Sequence, residues 1–418
     1  MEYVIIGNGI AGTSAAEAIR RLDRQGAITL IADEDQAPYC RPMISSLLAG
    51  DIAAERLGIR PPSFYDDLDI KPVLGNRVQS VDFSTRKVRV GDSGLTVPFD
   101  RLLIASGADP RIPAVPGSQL PGVFCLRTRS QAQDIVAAAG RSRRVVVVGG
   151  GLVGLKAAHA LQSRGLQVVM LIRSAHPLRL QVDADAGRMI LAKLREHGLQ
   201  VLVGAAIIAF EGKGSIMQNI VLSDGRTIPA DLVVIAKGVT PAAGFAAAGP
   251  IELGSGGGIV VNNTLETTVP GIYAAGDVAE TMDIARREKR VNAIWPEAVE
   301  QGIAAGFNMA GRRVAYRGSL SRNVMRIYGL DIMTAGVVEP SAADDRYEVV
   351  AVTDKRRTVC HKLVFHDDRL VGMMLINGIE QGGVLLSLIR REVVIAEKKE
   401  RLLDPGFQVG KLMPQYFK

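Results

Sequence analysis

The sequence predicts an α/β protein with two Rossmann-like domains followed by a C-terminal α/β domain. Its 418 residues are enough for two or three domains, and 47% hydrophobic with 22% charged residues is typical of globular proteins. A pattern of strand, glycine turn and helix occurs twice, near residues 3 and 145. From about Ser319 the pattern changes to alternating strands, with a helix near residues 382–391.

The first of these patterns occupies the N-terminal end of the chain. A β-prone apolar run, 3–6, leads directly into Gly7, Gly9 and Gly12, a helical pattern follows, and a second apolar run ends at Asp33. This is the βαβ dinucleotide fingerprint. Gly7 makes the tight turn, Gly9 lets the backbone approach a pyrophosphate, and Gly12 lets helix and strand pack closely. The helix N-terminus would bind the phosphates, and Asp33 would hydrogen-bond a ribose hydroxyl.

The same pattern returns in the second part of the chain. The valine run 145–148 leads into another glycine turn, and an alanine-rich helix and a strand at 168–172 follow. The candidate binding residues of this turn are Gly149, Gly151, Leu152, Val153 and Gly154. Because a chance repeat of the whole pattern is improbable, two fingerprints predict two bound dinucleotides.

The second copy differs from the first where the ribose acid would lie. Arg173 follows the second strand of this copy, and Arg179 lies a few residues further on. An acid here repels a 2′-phosphate, whereas an arginine pairs with it, and a charge-assisted hydrogen bond contributes about 1.5–3 kcal/mol. We therefore expect NADPH to be favoured over NADH. The alternative is a surface arginine that follows a buried strand.

Further apolar strands end in small residues and glycine, near 105, 236 and 275. The candidate binding residues at these ends are Ala105, Ser106, Gly107, Gly238, Gly276 and Asp277.

Composition excludes several classes of protein. No apolar run approaches the roughly 18 residues of a membrane helix, and the turn at Gly7 leaves no room for a signal peptide. We therefore expect a soluble, cytoplasmic protein that does not act at a membrane. The three cysteines, Cys40, Cys125 and Cys360, are too scattered for a disulfide framework or a zinc site, so no metal site is expected.

The chain is basic, with a net charge of +7 and a sequence pI of about 9.4. Basic clusters occur at 141–144, 286–290 and 355–357. Only 5% of the residues are aromatic, so the stacking platforms of nucleic-acid binding are missing and no nucleic acid is expected. The clusters are either solvated surface or a docking face for an acidic protein.

Together these motifs resemble the pyridine nucleotide–disulfide oxidoreductases, a family of two-dinucleotide flavoproteins, over essentially the whole chain. The motifs that carry the resemblance are the two glycine turns, the Ala-Ser-Gly sequence at 105–107 and the segment 273–277. Within the family the chain looks closest to NAD(P)H:rubredoxin reductases and the flavin portion of assimilatory nitrite reductase. The segments 38–42, 300–302 and 362–372 carry this narrower resemblance.

The resemblance implies that the first fingerprint binds FAD and the second binds NADPH or NADH. It also implies a discontinuous FAD-binding domain of residues 1–109 and 240–317, an NAD(P)-binding domain of 110–239, and a C-terminal α/β domain of 318–418. By the resemblance, Asp33 would hold the adenosine ribose, Val78 would contact the adenine end, and Asp277 would bond the ribityl hydroxyls. Arg41 would face the phosphates or the ribityl chain, and Trp295 would lie by the pyrimidine edge of the flavin. The other FAD-binding residues that it implies are Ala11, Glu34, Pro42 and Arg127. The spacing of Arg173 and Arg179 also resembles the 2′-phosphate clamp of NADPH-using glutathione reductases.

Two features of the disulfide-reducing members are missing. Those members carry a Cys-x-x-x-x-Cys pair near the flavin and a C-terminal His-Pro, whereas Cys40 is alone and His361 and His366 precede Lys and Asp. A dithiol relay is therefore excluded. Single-cysteine relatives would place their thiol at Pro42, so we expect Cys40 to be idle. A thiol-dependent reductase acting through Cys40 stays open as an alternative.

A further departure concerns the flavin ring. Many ferredoxin- and rubredoxin-reducing relatives carry a lysine–glutamate ion pair beside flavin N5, where this chain has Ser46 and Lys156. We therefore hypothesise that Lys156 acts as a catalytic residue whose ammonium stabilises negative charge on the reduced flavin. The alternative is a lysine that points to solvent from the start of a helix.

The resemblance and its departures predict an FAD-dependent NAD(P)H oxidoreductase. Hydride would pass from the nicotinamide to the flavin, and electrons would pass singly to a small iron–sulfur protein such as rubredoxin or ferredoxin. The positive net charge suits an acidic acceptor. Two alternatives stay open: a flavin subunit of a larger oxidoreductase complex, and a Cys40-dependent reductase of CoA disulfide or peroxide. The oligomeric state is open and includes a homodimer.

Overall fold

The computed structural model of the protein describes residues 1–92, 94–214, 216–341, 344–395, 398–404 and 406–407. Residues 408–418, the end of the predicted C-terminal domain, lie outside the described residues. Three units, each built on a five-stranded sheet, make up the described part of the chain. Among the described residues, no helix has the length and apolar character needed to span a membrane.

A parallel sheet, called the first sheet below, carries the first glycine turn. Its strands, in spatial order, are Ile272–Ala274, Arg101–Ile104, Glu2–Ile6, Ala27–Ile31 and Ile70–Val73. The apolar side chains of these strands are mostly buried, as expected for a parallel sheet covered on both faces. Helices Ile10–Leu22 and Trp295–Met309 pack side by side against it. Gly302 permits this packing, because a Cβ there would lie 2.2 Å from the backbone oxygen of Ala11.

Smaller elements complete this unit. They are the antiparallel strands Val78–Asp82, Lys87–Val90 and Leu95–Pro98, the small sheet Ile259–Val260, Ala279–Asp283 and Glu288–Arg290, the helices Ile44–Ala49 and Phe64–Asp67, and the 3₁₀ turns Arg41–Met43 and Ala54–Leu57.

The second unit repeats the architecture of the first. The strands of its parallel sheet, called the second sheet, are Gln200–Leu202, Gln167–Leu171, Arg144–Val148, Leu232–Ile235 and Val123–Cys125. Its helices are Arg129–Ala139, Leu152–Ser163 and Ala184–Glu196, and its antiparallel strands are Ile207–Lys213, Ile216–Leu222 and Thr227–Pro229. The strands predicted at 28–31 and 168–172 are present, with ends displaced by one residue.

Two short strands connect the first and second units. Ala108–Pro110 leaves the first unit and Val239–Pro241 returns to it, and the two pair antiparallel. The hydroxyl of Ser106 also donates to the backbone oxygen of Ala242 at 2.8 Å. The predicted boundaries at 109/110 and 239/240 fall within this ribbon, and the assignment of the units as domains stays a prediction.

The third unit is an antiparallel sheet with one helix. Its strands, in spatial order, are Arg322–Ile327, Leu330–Gly336, Arg369–Ile376, Val359–His366 and Tyr347–Asp354. Helix Gly382–Arg390 packs on it, and the 3₁₀ turn Lys399–Leu403 contacts the last of these strands. Met325, Ile327 and Leu330 pack into the same core as Leu155 and Ala158 of the second unit. The predicted fold class, two Rossmann-like units and a C-terminal unit, is confirmed.

Candidate cofactor and electron-transfer site

The first glycine turn is shaped by close backbone approaches. Gly7 has a φ of 118°, and a Cβ there would lie 2.0 Å from the backbone oxygen of Ala105. A Cβ on Gly12 would lie 2.0 Å from the backbone oxygen of Gly7. At Gly9, by contrast, no described heavy atom beyond its chain neighbours lies within 4 Å of the Cβ position. Gly7 and Gly12 therefore allow close backbone contacts within the turn, whereas the backbone at Gly9 faces open space.

The second turn has the same three relationships. Gly149 has a φ of 125°, and a Cβ there would lie 2.2 Å from the backbone oxygen of Ala236. A Cβ on Gly154 would lie 2.0 Å from the Gly149 oxygen, while the Cβ position of Gly151 meets no described atom within 4 Å. Gly238, at the end of the neighbouring strand, has a φ of 86° and an equally open Cβ position. The two turns therefore present equivalent open surfaces.

Both turns lead into a helix whose N-terminus can bind an anion. The N-caps are Gly9 and Gly151, neither helix has a side-chain cap, and neither has an acidic residue in its first turn. Leu152 begins the second of these helices and Val153 is exposed beside it. The unpaired N–H groups and the positive end of the helix dipole favour a phosphate. The two sites therefore fit the pyrophosphate of a dinucleotide.

Asp277 lies at the end of the strand Ile272–Ala274, close to the first turn. Its carboxylate accepts from the Arg127 guanidinium, with 2.7 Å between Oδ2 and Nη2. Arg127 Nε also donates to the backbone oxygen of Ala108 at 3.1 Å. The preceding Gly276 has a φ of 81°, and a Cβ there would lie 3.1 Å from the Ala11 Cβ. Residues from both sides of the ribbon therefore meet at the first turn.

A second ion pair extends this cluster. Arg41 Nη2 lies 2.5 Å from Glu34 Oε1, and Arg41 Nη1 donates to the backbone oxygen of Arg127 at 3.2 Å. The hydroxyl of Tyr39 donates to Glu34 at 2.8 Å. Burial opposes the charge of Arg41, but Tyr39 and Glu34 outweigh it and raise the pKa of Arg41. The structure thus brings Glu34, Arg41, Arg127 and Asp277 into one connected network, although they are distant in sequence.

Other predicted FAD-binding residues lie outside the ion pairs of this network. Asp33 is exposed, and it accepts a hydrogen bond from the Glu34 backbone N–H at 3.0 Å. Val78 is buried at the start of its strand, and Pro42 is exposed within the turn Arg41–Met43. Trp295 is half-buried as the first residue of its helix.

Lys156 lies on helix Leu152–Ser163, which contacts the helix Ile44–Ala49 that carries Ser46. The positive charge of Lys156 acts on the Cys40 thiol. Burial raises the pKa of Cys40, and the Met43 backbone N–H and Lys156 oppose this without reversing it. Lys156 is therefore near the Cys40–Arg41 segment of the network, while Cys40 itself is held as a neutral thiol.

The two arginines after strand Gln167–Leu171 differ in their surroundings. Arg173 is exposed and has no ion-pair partner among the described residues. Arg179 pairs with Glu339 of the third unit, with 2.6 Å between Nη1 and Oε2. The backbone N–H of Leu178 donates to the Gly150 oxygen at 2.7 Å, which holds this loop beside the second turn. The Arg173 guanidinium is therefore available to bind an anion, whereas that of Arg179 is already paired with Glu339.

Some residues of the site were not predicted from the sequence. Thr128 and Gln131 form a capping box at the helix Arg129–Ala139, and Gln131 Oε1 also accepts from the Arg127 backbone N–H at 2.8 Å. The T-x-x-Q pattern of a capping box would have revealed this support of Arg127. Gln301, which accepts from the Gly276 backbone N–H at 2.7 Å, and its partner Tyr316 belong to no comparable local pattern.

Two parallel sheets, two uncapped helix N-termini and a charged network between them are the features of a protein that binds two dinucleotides. Residues 1–302 match the model of the pyridine nucleotide-disulphide oxidoreductase family, and residues 322–393 match that of the rubredoxin NAD⁺ reductase C-terminal domain. The chain therefore belongs to the pyridine nucleotide-disulphide oxidoreductase family. This match confirms the predicted family and its cofactors, FAD and NAD(P)H.

Similar proteins include electron-transfer subunits and reductases. The chain is 29% identical to the assimilatory nitrate reductase electron transfer subunit of Bacillus subtilis, over 96% of this chain and 51% of that protein. It is also 29% identical to the NADH-dependent phenylglyoxylate dehydrogenase subunit epsilon of Aromatoleum evansii, over 98% and 96%. A solved ferredoxin reductase for the CYP199A2 system of Rhodopseudomonas palustris has a TM-score of 0.86 at 26% identity, over 98% and 99%. The chain thus spans about half the length of the nitrate reductase subunit.

Proposed function

We propose that the chain passes electrons from NAD(P)H, through FAD, to a small iron–sulfur protein of the rubredoxin or ferredoxin type. One observation carries the proposal: a rubredoxin-reductase type of C-terminal domain follows a two-nucleotide unit, and the chain has neither the Cys-x-x-x-x-Cys pair near the flavin nor a His-Pro near the C-terminus. Without a dithiol relay, the simplest route for electrons that leave the flavin is to an external redox protein. The similarity to the solved ferredoxin reductase supports the same kind of acceptor.

The first unit would hold FAD through the residues already described. The open backbone at Gly9 and the helix N-terminus behind it would receive the pyrophosphate, and Asp33 would accept from the adenosine ribose. Asp277, oriented by Arg127, would accept from the ribityl hydroxyls. When bound, FAD takes a hydride from the nicotinamide and gives up electrons one at a time. The remaining proposed contacts are Gly7, Ala11, Gly12, Glu34, Arg41, Pro42, Val78, Ala105, Ser106, Gly107, Gly276 and Trp295.

The second unit would hold the nicotinamide dinucleotide at Gly151 and the helix that follows it. Arg173 would pair with a 2′-phosphate, because its guanidinium is exposed and unpaired among the described residues. This favours NADPH over NADH. Arg179 would join the clamp only after leaving Glu339. The other proposed contacts are Gly149, Leu152, Val153, Gly154 and Gly238.

Lys156 would supply positive charge at the flavin ring. Its helix packs against the helix that carries Ser46, and its charge reaches the Cys40 segment beside Arg41. A fixed ammonium in a site that excludes water stabilises developing negative charge more strongly than it would in water. We therefore assign Lys156 the role of favouring the reduced cofactor.

Electron transfer to purified acceptors tests the proposed function. The protein, supplied with NADPH, should reduce rubredoxin or a [2Fe–2S] ferredoxin in a reaction that slows as salt is raised, since a basic surface attracts an acidic partner. Ferricyanide serves as the control, because a small ion needs no docking surface. Rapid ferricyanide reduction with no transfer to either iron–sulfur protein would contradict the proposed acceptor class.

A second candidate is a flavin subunit of a larger complex. The match to the phenylglyoxylate dehydrogenase subunit epsilon, which extends over nearly the full length of both chains, favours it. Under this reading the chain would receive or deliver electrons within an assembly. Affinity purification from the source cells distinguishes the two, because a subunit would bring stoichiometric partner chains that carry iron–sulfur clusters, whereas a free reductase would not.

A further inference from the structure

A polar path, called the Tyr316 path below, connects the Gly276 turn with the C-terminal unit through buried and half-buried side chains. The backbone N–H of Gly276 donates to Gln301 Oε1 at 2.7 Å, and Gln301 Nε2 donates to the Tyr316 hydroxyl at 3.3 Å. The Tyr316 hydroxyl donates to Glu297 Oε2. Arg322, on the first strand of the C-terminal unit, donates to the other carboxylate oxygen of Glu297 at 2.8 Å. The path therefore runs from the proposed flavin site to the third unit without a break.

The hydrogen bonds of this path share one direction. From Gly276 to Gln301, to Tyr316 and to Glu297, each group donates to the next, and the buried carboxylate of Glu297 is the final acceptor. Glu297 and Gln301 are both 1% exposed. Burial raises the pKa of Glu297, while Tyr316 and Arg322 oppose this shift. Such a chain polarises each of its members and is stronger than separate pairs.

The path decides which way the Gln301 amide faces. An amide side chain has an oxygen that accepts and a nitrogen that donates. Gln301 can therefore accept from the Gly276 N–H only when its oxygen, and not its nitrogen, faces Gly276. Tyr316 enforces this orientation, because its hydrogen atom is committed to Glu297 and its oxygen can only accept from Gln301. Without the Tyr316 hydroxyl, the Gln301 amide can rotate so that its nitrogen faces Gly276. The Gly276 N–H would then lose its hydrogen-bond acceptor.

We propose that Tyr316 is a positioning residue that fixes the Gly276–Asp277 turn through Gln301, so that the C-terminal unit forms part of the flavin site. This rests on the proposed function, which places FAD at Asp277. Glu297, on the helix Trp295–Met309 of the first unit, accepts from Tyr316 and is in turn held by Arg322 of the third unit. Arg322 also approaches Glu300 at 3.4 Å, and Arg390 of the C-terminal helix pairs with Glu300 at 2.6 Å. A displacement of the third unit would therefore move Glu297 and Tyr316 and, through Gln301, shift the Gly276–Asp277 turn at the flavin site.

The Tyr316→Phe variant of the holoprotein tests the proposal. Its matched control is Tyr328→Phe, because the Tyr328 hydroxyl also bonds a glutamine, Gln162, at 2.7 Å, but away from the path. In Tyr316→Phe we expect the FAD dissociation constant to rise about tenfold, because a hydrogen bond within a charged network is lost. We also expect the flavin midpoint potential to shift. Neither quantity should change in Tyr328→Phe.

A double-mutant cycle with Gln301→Met separates positioning from general stability. If Tyr316 acts through Gln301, the double variant should bind FAD no more weakly than Gln301→Met alone, whereas additive losses would overturn the proposal. Equal FAD affinity and potential in Tyr316→Phe and wild type would also overturn it, while leaving the proposed function intact. If wild-type protein binds no FAD, the proposed function itself fails. Should Tyr316→Phe not fold, Glu297→Gln takes its place in the same measurements, with the same expected direction.

Discussion

Arg127 and Asp277 form an ion pair of 2.7 Å although 150 residues separate them in the chain. Arg127 follows a strand of the second sheet, and Asp277 follows a strand of the first. Their pairing therefore joins the two parallel sheets at the carboxyl ends of their strands, where α/β sheets bind their ligands. Arg41 extends the connection by donating to the Arg127 backbone and pairing with Glu34.

Removing the Arg127 charge should weaken FAD binding. In Arg127→Met we expect a loss of about 10- to 100-fold in FAD affinity, because Asp277 loses a charged partner in a partly buried site. Titration of the apoprotein with FAD measures the loss. Arg144→Met is the control, because Arg144 and Asp231 form an Arg–Asp pair of 2.6 Å that is more exposed. Equal FAD affinity in the two variants would contradict the role of the Arg127–Asp277 pair.

The glycines of the first turn should respond differently to an added methyl group. In Gly12→Ala the Cβ meets the Gly7 backbone oxygen, so we expect a loss of about 1–3 kcal/mol in the free energy of unfolding. In Gly9→Ala the Cβ enters open space, so the apoprotein should keep its stability and FAD binding should weaken. Thermal unfolding of the apoproteins, followed by FAD titration, separates the two effects. A Gly9→Ala variant that binds FAD like wild type would place the pyrophosphate elsewhere.

Arg173 should determine the choice of nicotinamide cofactor. In Arg173→Ala we expect kcat/KM for NADPH to fall by about tenfold or more, while that for NADH stays unchanged, because only NADPH carries the 2′-phosphate. Arg179→Ala should have a smaller effect, since Arg179 is already paired with Glu339. Steady-state kinetics with both cofactors measure the ratio. Equal losses for NADPH and NADH would contradict the proposed clamp.

Lys156 should favour the reduced flavin. In Lys156→Met we expect slower flavin reduction by NADPH and a lower flavin midpoint potential, because the positive charge that stabilises the reduced form is lost. Lys193→Met is the control, since Lys193 pairs with Glu196 at 3.0 Å on another helix. Stopped-flow absorbance and a redox titration measure the two quantities. An unchanged rate and potential in Lys156→Met would show that its ammonium does not act on the flavin.

Cys40 should be a weak nucleophile that activity does not need. Burial raises its pKa, so the thiol is protonated at neutral pH and becomes a thiolate only as the pH rises through this higher value. Alkylation by iodoacetamide should therefore be slow at neutral pH and accelerate with rising pH, as measured in a Cys125→Ser/Cys360→Ser background. Cys40→Ser should keep its NAD(P)H-dependent activity. Loss of that activity with FAD still bound would support the thiol-dependent alternative.

The sequence predicts those parts of the site that neighbouring residues form better than the contacts between residues far apart in the chain. The two glycine turns were predictable because strand, turn and helix are neighbours in the chain. The close approaches of Gly7 to Ala105 and of Gly149 to Ala236 were not, because those strands are adjacent in the sheet but distant in sequence. The pairing of Arg179 with Glu339 was not, because it depends on how the third unit packs against the second.

The path through Tyr316 was missed for the same physical reason. Its side chains come from a helix, a loop and a strand that no sequence period relates, so only the folded chain shows that they meet. Arg127 and Asp277 were each expected near FAD from the family resemblance, but nothing in the sequence indicated that the two bind each other.

Anaerobic mixing of the purified holoprotein with NADPH, followed through the flavin absorbance, tests the central claim most directly. The account predicts rapid loss of the oxidised flavin band with NADPH and a slower or weaker loss with NADH. A protein that holds FAD but whose flavin is reduced by neither nucleotide would contradict the assignment of the two units as donor and acceptor sites.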